Sequence, residues 1–143
     1  MGQFYKIRNQ ATGAKATAWK WFAKYIKLRD AIATTGTKED ARCITCGNVH
    51  PISELEAGHM IPGRTGGILF DESIVYAQCH KCNGPGKGEV QMYKHIMIEK
   101  HGEAWYDLKV QARKTPTPLG EFECSLISDE YRKKYNALLK EGE

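Results

Sequence analysis

The sequence from residue 43 to residue 83, CITCGNVHPISELEAGHMIPGRTGGILFDESIVYAQCHKCN, contains two CxxC pairs with His59 between them. Each pair has the spacing that closes a tight turn around one metal ion, and the stretch between the pairs is long enough to form a β-hairpin. Four thiolates in this arrangement are typical of a structural zinc site. The predicted zinc ligands are Cys43, Cys46, Cys79 and Cys82.

The alternative for these cysteines is a pair of disulfides, which would require an oxidising compartment. The N-terminal residues, MGQFYKIRNQ, have no apolar run behind their charges and do not predict a secretory signal. No stretch is long and apolar enough to predict a membrane span. We therefore expect reduced, metal-binding thiols in a cytoplasmic protein. The fifth cysteine, Cys124, has no partner at metal spacing, and we expect it to be a small buried hydrophobic residue.

Length and charge bound the organisation of the chain. The predicted fold class is α+β, and 143 residues suit one domain with a modest core. Within it we expect a basic helical segment at residues 1–42, a zinc-bound core at 43–102 and a helical extension at 103–143. The net charge of +4 is concentrated in the first segment, which has nine Lys and Arg against three Asp and Glu.

Residues 16–33, ATAWKWFAKYIKLRDAIA, predict an amphipathic helix with a cationic face. Such a face would attract a phosphate backbone, although charge alone is equally explained by a solvated helix surface. The aromatic side chains are better explained as core residues than as base-stacking platforms. The apolar stripe consists of Trp19, Phe22, Tyr25, Ile26 and Ile32. The basic residues off that stripe are Arg29 and three candidates for DNA contact, Lys20, Lys24 and Lys27.

Two strands are predicted between the thiol pairs. The first, LEAGHMI (residues 55–61), ends in the turn PGRTGG, and the second extends from Ile74 to Gln78. We therefore expect a β-hairpin braced by the zinc.

Helices are predicted on the C-terminal side of the second thiol pair. The segment EVQMYKHIMIEKH (residues 89–101) repeats apolar residues at helical spacing, and Gly102 supplies its stop. A further helix is predicted over about residues 103–114. After the breaker TPTPLG, we expect a last helix to begin at Ser128, with acidic residues in its first turn.

The order strand, histidine, turn, strand, CxxC, Asn, helix resembles the ββα-metal finger of the HNH (His-Me finger) nucleases, in which a zinc of this kind often braces the motif. The segments WKWFAKYIKLRD, CITCG, AGHMIPGRTGG, FDESIVYAQCHKCN, GEVQMYKHIMIEKHG and EYRKKYNALLKE are similar to the bacteriophage NinG (Rap) recombination proteins, over roughly Trp19 to Glu141. This resemblance implies a structure-selective DNA endonuclease that acts on branched or four-way junctions in the bacterial cytoplasm. The substrate class comes only from the resemblance.

Hydrolysis of a phosphodiester needs a base for the attacking water and a cation for the developing charge. His59 is the candidate general base, because an imidazole can accept a proton near neutral pH. Asn83 is the candidate ligand of a catalytic Mg²⁺ or Mn²⁺, since its side-chain carbonyl is a hard oxygen and the neighbouring Cys82 places it through the zinc. The alternatives are a structural histidine and a helix N-cap.

Two positions depart from the common HNH pattern. Gly58 stands where the residue before the base is often an aspartate that shares the ion. The ion would then rest on Asn83, waters and DNA oxygens. Ile74 stands where many relatives have an asparagine that helps to orient the histidine, so that another group must fix the His59 ring.

Several further side chains are weaker candidates. Glu89 could reach the ion through water, whereas strand alternation places Glu56 on the opposite face from His59 unless the strand bends or bulges. Both carboxylates are better explained as exposed charges. Arg64 in PGRTGG and Lys87 in GPGKG are candidate phosphate contacts, because glycine-rich turns let a DNA backbone come close. His80 could replace a cysteine ligand or face solvent, and four available thiols favour the solvent.

The leading hypothesis is a DNA endonuclease with a structural Zn²⁺ and a catalytic Mg²⁺ or Mn²⁺. The alternative is a zinc-braced DNA-binding module whose nuclease centre is degenerate, which the departures at Gly58 and Ile74 suggest. A zinc-stabilised adaptor for other proteins is a third hypothesis, but it leaves His59 and Asn83 unexplained. Symmetric cutting of a four-way junction would suit a homodimer, although no segment of the sequence marks a dimer interface.

Overall fold

The computed structural model of the chain describes residues 2–61, 66–84, 89–115, 117 and 119–142, with side chains from residue 13 onward. These residues form an α+β structure with five α-helices and two antiparallel sheets of two strands each. The helices are α1 Gly2–Thr35, α2 His80–Asn83, α3 Val90–His101, α4 Glu103–Lys114 and α5 Glu121–Lys140. The strands are β1 Asp40–Arg42, β2 Val49–Pro51, β3 Leu55–His59 and β4 Val75–Cys79.

The chain divides into two compact units. One comprises residues 1–25 and 118–143, and the other comprises residues 26–117. Helix α1 contributes residues to both, and all the predicted zinc and catalytic residues belong to the second. The organisation as one domain stays a prediction. Within the described helices, no apolar stretch reaches the length needed to cross a membrane.

The first unit is built on aromatic contacts between α1 and α5. The rings of Phe22 and Tyr131 meet edge to face at 4.9 Å, and both side chains are buried. Trp21 and Tyr135 make a tilted contact at 6.0 Å. Cys124 is also buried, which confirms its prediction as a small hydrophobic residue. Of the aromatic residues predicted to lie in the core of the N-terminal helix, Phe22 is buried, and Trp19 and Tyr25 are half-buried.

The start of α5 corrects the prediction that the last helix begins at Ser128. The helix begins at Glu121, immediately after Gly120. Glu121 and Glu123 lie in its first turn, where carboxylates interact favourably with the positive end of the helix dipole. The buried residues Cys124 and Tyr131 lie seven residues apart, two turns along one face. The helical turns that precede Ser128 therefore contribute a buried residue, Cys124, to the core.

The second unit contains the predicted pair of strands. β3 and β4 pair antiparallel in a regular register, from Leu55 opposite Cys79 to His59 opposite Val75. The helices predicted over residues 89–101 and 103–114 are confirmed as α3 and α4, separated by Gly102 with a positive φ of 92°. The sequence prediction missed the small sheet of β1 and β2.

Helix α1 is attached to β4 by a pair of charged residues. Arg29 donates hydrogen bonds to the carbonyl oxygens of Glu72 at 2.9 Å and Val75 at 2.7 Å. Asp30, which is 5% exposed, bonds Arg29 and accepts a hydrogen bond from the backbone N–H of Ala77 at 2.7 Å. Arg29 therefore holds the end of the predicted catalytic hairpin, whereas the sequence placed it on a free cationic face.

Candidate metal centre and active site

The two thiol pairs meet at one point of the second unit. The first pair lies in the turn between β1 and β2, and the second pair begins at the last residue of β4 and continues into α2. All four Sγ atoms lie within 4.8 Å of one another, and the Sγ atoms of Cys46 and Cys79 are 3.9 Å apart. A tetrahedral zinc with Zn–S bonds of about 2.3 Å would separate its sulfurs by about 3.8 Å. The four cysteines could therefore hold a metal ion such as zinc.

The surroundings of one of the four thiols, that of Cys43, favour its ionised form. Burial would raise the pKa of Cys43, but hydrogen bonds from the backbone of Cys46, Thr45 and Cys79 lower it to about 6. Burial raises the pKa of Cys82 to about 12, with a further contribution from the charge on Cys43. A second thiolate beside the first is thus costly, and a bound cation would remove that cost. All four thiols are free of disulfides.

His59 is the last residue of β3, and its ring is half-buried. Its Nε2 lies 3.0 Å from the carbonyl oxygen of Leu69. A carbonyl can only accept, so Nε2 carries the proton and the lone pair of the neutral ring is on Nδ1. The Leu69 carbonyl is a group that orients the ring, a role the sequence analysis left unassigned. The side chain of Ile74 is fully buried in the core.

The backbone before His59 is held from α3. The hydroxyl of Tyr93, which is buried, donates a hydrogen bond to the carbonyl oxygen of Gly58 at 2.7 Å. Tyr93 lies in the segment EVQMYKHIMIEKH, for which only a helix was predicted. A buried tyrosine hydroxyl needs a partner, but the sequence offers no way to identify that partner.

Asn83 is the last residue of α2, so it ends that helix and is not the N-cap of α3. Its Nδ2 donates a hydrogen bond to Glu56 Oε1 at 2.7 Å, and Glu56 Oε2 lies 2.9 Å from Nδ1 of His80. The bond from Asn83 is the main cause that lowers the pKa of Glu56, and His80 and Lys27 lower it further against the effect of burial. Glu56 therefore contacts the candidate ion ligand directly, and His80 is exposed.

Gly58 lies between these groups and is buried. A Cβ atom at this position would collide with Oε1 of Gln78 and would lie 3.1 Å from Oδ1 of Asn83. The φ of Gly58 is not positive, so the glycine is needed for space and not for its backbone conformation. An aspartate at this position would have to displace the Gln78 amide.

The other predicted site residues are dispersed. Arg64 and Lys87 lie outside the described residues. Glu89 is exposed, and its N–H donates to the Cys82 carbonyl oxygen at 3.3 Å. Lys20 and Lys24 lie over the ring of Trp21, at 5.8 and 5.0 Å from its centroid. Lys27, which was also predicted to contact DNA, lowers the pKa of Glu56 through its charge.

A basic side chain that the sequence analysis missed lies beside the strand pair. Tyr76 is paired in register with Gly58. Two cations lie against its ring, with the Arg29 guanidinium 4.7 Å and the Lys100 ammonium 5.5 Å from the centroid. Arg29 is committed to backbone carbonyls, whereas Lys100 is exposed. Lys100 is therefore a candidate phosphate contact near the site.

Comparison with known proteins identifies the family. The family model described as Bacteriophage Lambda NinG protein matches residues 5–141. The chain belongs to the NinG family. Protein ninG of Salmonella phage P22 is 31% identical to this NinG-family chain over 100 residues, which cover 69% of the chain and 48% of the phage P22 protein. The chain thus spans about half the length of that relative. No solved structure matches the chain significantly.

Proposed function

We propose that this NinG-family chain is a metal-dependent DNA endonuclease of the HNH type that cuts branched or four-way-junction DNA. The main structural support for the proposed hydrolytic activity is the packing of the Asn83 side chain against β3. Its Oδ1 is directed at Gly58, the residue immediately before His59. The amide oxygen of the candidate ion ligand thus packs beside the residue that immediately precedes the candidate base. The substrate class rests on the resemblance to NinG recombination proteins alone.

His59 acts as the general base in this proposal. Its Nε2–H is bonded to the Leu69 carbonyl, so Nδ1 takes a proton from the attacking water. The water oxygen forms a bond to phosphorus, the bond from phosphorus to the 3′ oxygen breaks, and the leaving oxygen takes a proton from solvent. Tyr93, through Gly58, and Leu69 are positioning residues for the ring.

The divalent ion, when bound, would stabilise charge on the phosphate and on the leaving 3′ oxygen. The donor set of this chain fits such an ion, because amide and carboxylate oxygens are the ligands that Mg²⁺ and Mn²⁺ prefer. Glu56 holds the amide of Asn83 so that its oxygen is directed away from the carboxylate. The four-cysteine site braces the strand and helix that carry these residues.

DNA contact is supported by basic residues near the strand pair. Lys27 acts electrostatically on Glu56, and Lys100 lies over the ring of Tyr76. Both lie in the unit that contains His59. Cations placed here would neutralise phosphates on either side of the scissile bond.

A zinc-braced DNA-binding module is the second candidate, and the absence of a side-chain ligand at Gly58 favours it. The two functions are separated by incubating the zinc-loaded protein with junction, flap and plain duplex DNA, with and without Mg²⁺. Mg²⁺-dependent cutting that prefers the junction supports the nuclease. Junction binding without cutting at any Mg²⁺ or Mn²⁺ concentration would leave only the binding module.

A further inference from the structure

We propose that Gln78 is a second ligand of the divalent ion held by Asn83, and that its amide oxygen takes the place of the carboxylate that Gly58 cannot supply. This inference rests on the nuclease function proposed above. It also gives a reason for the glycine before His59.

The orientation of the Gln78 amide follows from its partners. Gln78 is 3% exposed, and its Nε2 donates to Thr45 Oγ1 at 3.2 Å and to the Cys82 carbonyl oxygen at 3.4 Å. The Cys82 carbonyl can only accept, so the NH₂ group must face it. Oε1 is therefore on the opposite side, against Gly58. Among the described residues, none donates a hydrogen bond to this oxygen.

The orientation of the Asn83 amide follows in the same way. Its Nδ2 donates to the carboxylate of Glu56, which can only accept. Its Oδ1 consequently faces Gly58, 3.1 Å from where a Cβ atom would lie. Two anchored amides thus direct their oxygens into the same space beside one glycine. Two acceptors without a donor between them are an unfavourable arrangement unless a cation or a water lies there.

The two amide oxygens are suited to hold a divalent ion. Amide carbonyl oxygens are hard ligands, and Mg²⁺ completes its coordination with waters and with phosphate oxygens of a substrate. The carboxylate of Glu56 supplies negative charge one hydrogen bond away. The anchor of Gln78 on Cys82 also connects the ion site to the four-cysteine site.

The test uses the zinc-loaded full chain and Mn²⁺ as the probe. Free Mn²⁺ is measured by electron paramagnetic resonance in wild type, Gln78→Met and Gly58→Ala, because a Cβ atom at position 58 must displace the Gln78 oxygen. We expect Mn²⁺ affinity to fall by about tenfold or more in both variants. Gln91→Met, the same change at an exposed position of α3, should leave the affinity unchanged. Equal Mn²⁺ affinity in wild type and a folded Gln78→Met, or no Mn²⁺ binding by wild type, would overturn the proposal.

A second measurement uses only the wild type, so its result does not depend on whether a variant folds. Paramagnetic Mn²⁺ should broaden the side-chain NH₂ signals of Gln78 and Asn83 before that of Gln91. A Gln78 signal that survives while Asn83 is broadened overturns the proposal, and so does survival of both.

Mn²⁺ binding and DNA cleavage are measured separately, so that the two proposals can fail independently. If Mn²⁺ binding depends on Gln78 but the protein does not cleave DNA, the ion site is supported and the nuclease function is refuted. If the wild type cleaves DNA with Mg²⁺ but Gln78→Met binds Mn²⁺ as tightly as wild type, the nuclease function is supported and the role of Gln78 as an ion ligand is refuted.

Discussion

Nδ2 of Asn83 donates a hydrogen bond to Oε1 of Glu56 at 2.7 Å. The carboxylate of Glu56 is held on its other side by Nδ1 of His80 at 2.9 Å. The amide of Asn83 therefore has one favoured orientation, with its oxygen towards Gly58. Glu56 is a positioning residue for the candidate ion ligand. Glu89, a weak sequence-based candidate for a carboxylate near the ion, is exposed.

Glu56→Ala should raise the Mg²⁺ concentration needed for half-maximal DNA cutting by about tenfold, because the Asn83 amide becomes free to rotate. The rate at saturating Mg²⁺ should fall less. The measurement is a Mg²⁺ titration of junction cleavage. Glu99→Ala, which removes an exposed carboxylate paired with His95 on α3, is the control. An unchanged Mg²⁺ requirement in Glu56→Ala would contradict the positioning role.

Cys43→Ser should abolish stoichiometric zinc binding and destabilise the second unit, because a buried thiolate ligand is lost. Zinc content by elemental analysis and thermal unfolding provide the readout. Wild type should contain one zinc per chain and lose it on acidification, since the ligands bind as thiolates. Cys124→Ala removes the cysteine outside the cluster and should keep the zinc. A fully folded, zinc-free Cys43→Ser would rule out a structural metal.

Asp30→Asn should lower the free energy of unfolding by about 3 kcal/mol, because it weakens a buried pair with Arg29 and a hydrogen bond to the Ala77 N–H. Urea denaturation measures the change. Asp107→Asn at an exposed position of α4 should alter stability by less than about 0.5 kcal/mol. Equal effects of the two substitutions would mean that the pair does not hold α1 against β4.

Lys100→Met should weaken DNA binding and reduce the slope of log affinity against log salt concentration by about one unit, because one phosphate contact is lost. Salt titrations of junction binding give the slope. Lys140→Met, at the exposed end of α5, is the matched change outside the second unit. If Lys100→Met and wild type have the same slope, Lys100 does not contact phosphate.

The parts of this structure that were predicted correctly depend on local signals. The CxxC spacing correctly predicted that the four thiols meet, because one pair lies in the turn between β1 and β2 and the other at the junction of β4 and α2. The β-prone runs gave β3 and β4, and Gly102 gave the boundary between α3 and α4. Each of these features is encoded within a few adjacent residues.

The parts that were missed depend on register and on distant partners. The contact between Glu56 and Asn83 joins residues 27 positions apart, and the bond from Arg29 to Val75 joins residues 46 apart. Gln78 faces Gly58 only because of the pairing register of β3 and β4. The first turns of α5 were missed because Ser128, with acidic residues behind it, was interpreted as the start of the helix. None of these relationships has a periodic or compositional signal.

Cleavage of four-way-junction DNA by His59→Ala, with Mg²⁺ and a full complement of zinc, tests the proposed nuclease most directly. The account predicts that the cleavage rate falls by about 10²–10⁴-fold, because the general base is lost, while zinc content, thermal stability and junction binding stay close to wild type. His101→Ala, which removes an exposed histidine stacked on Trp105, should cut like wild type. Near wild-type cleavage by folded, zinc-loaded His59→Ala would contradict the account.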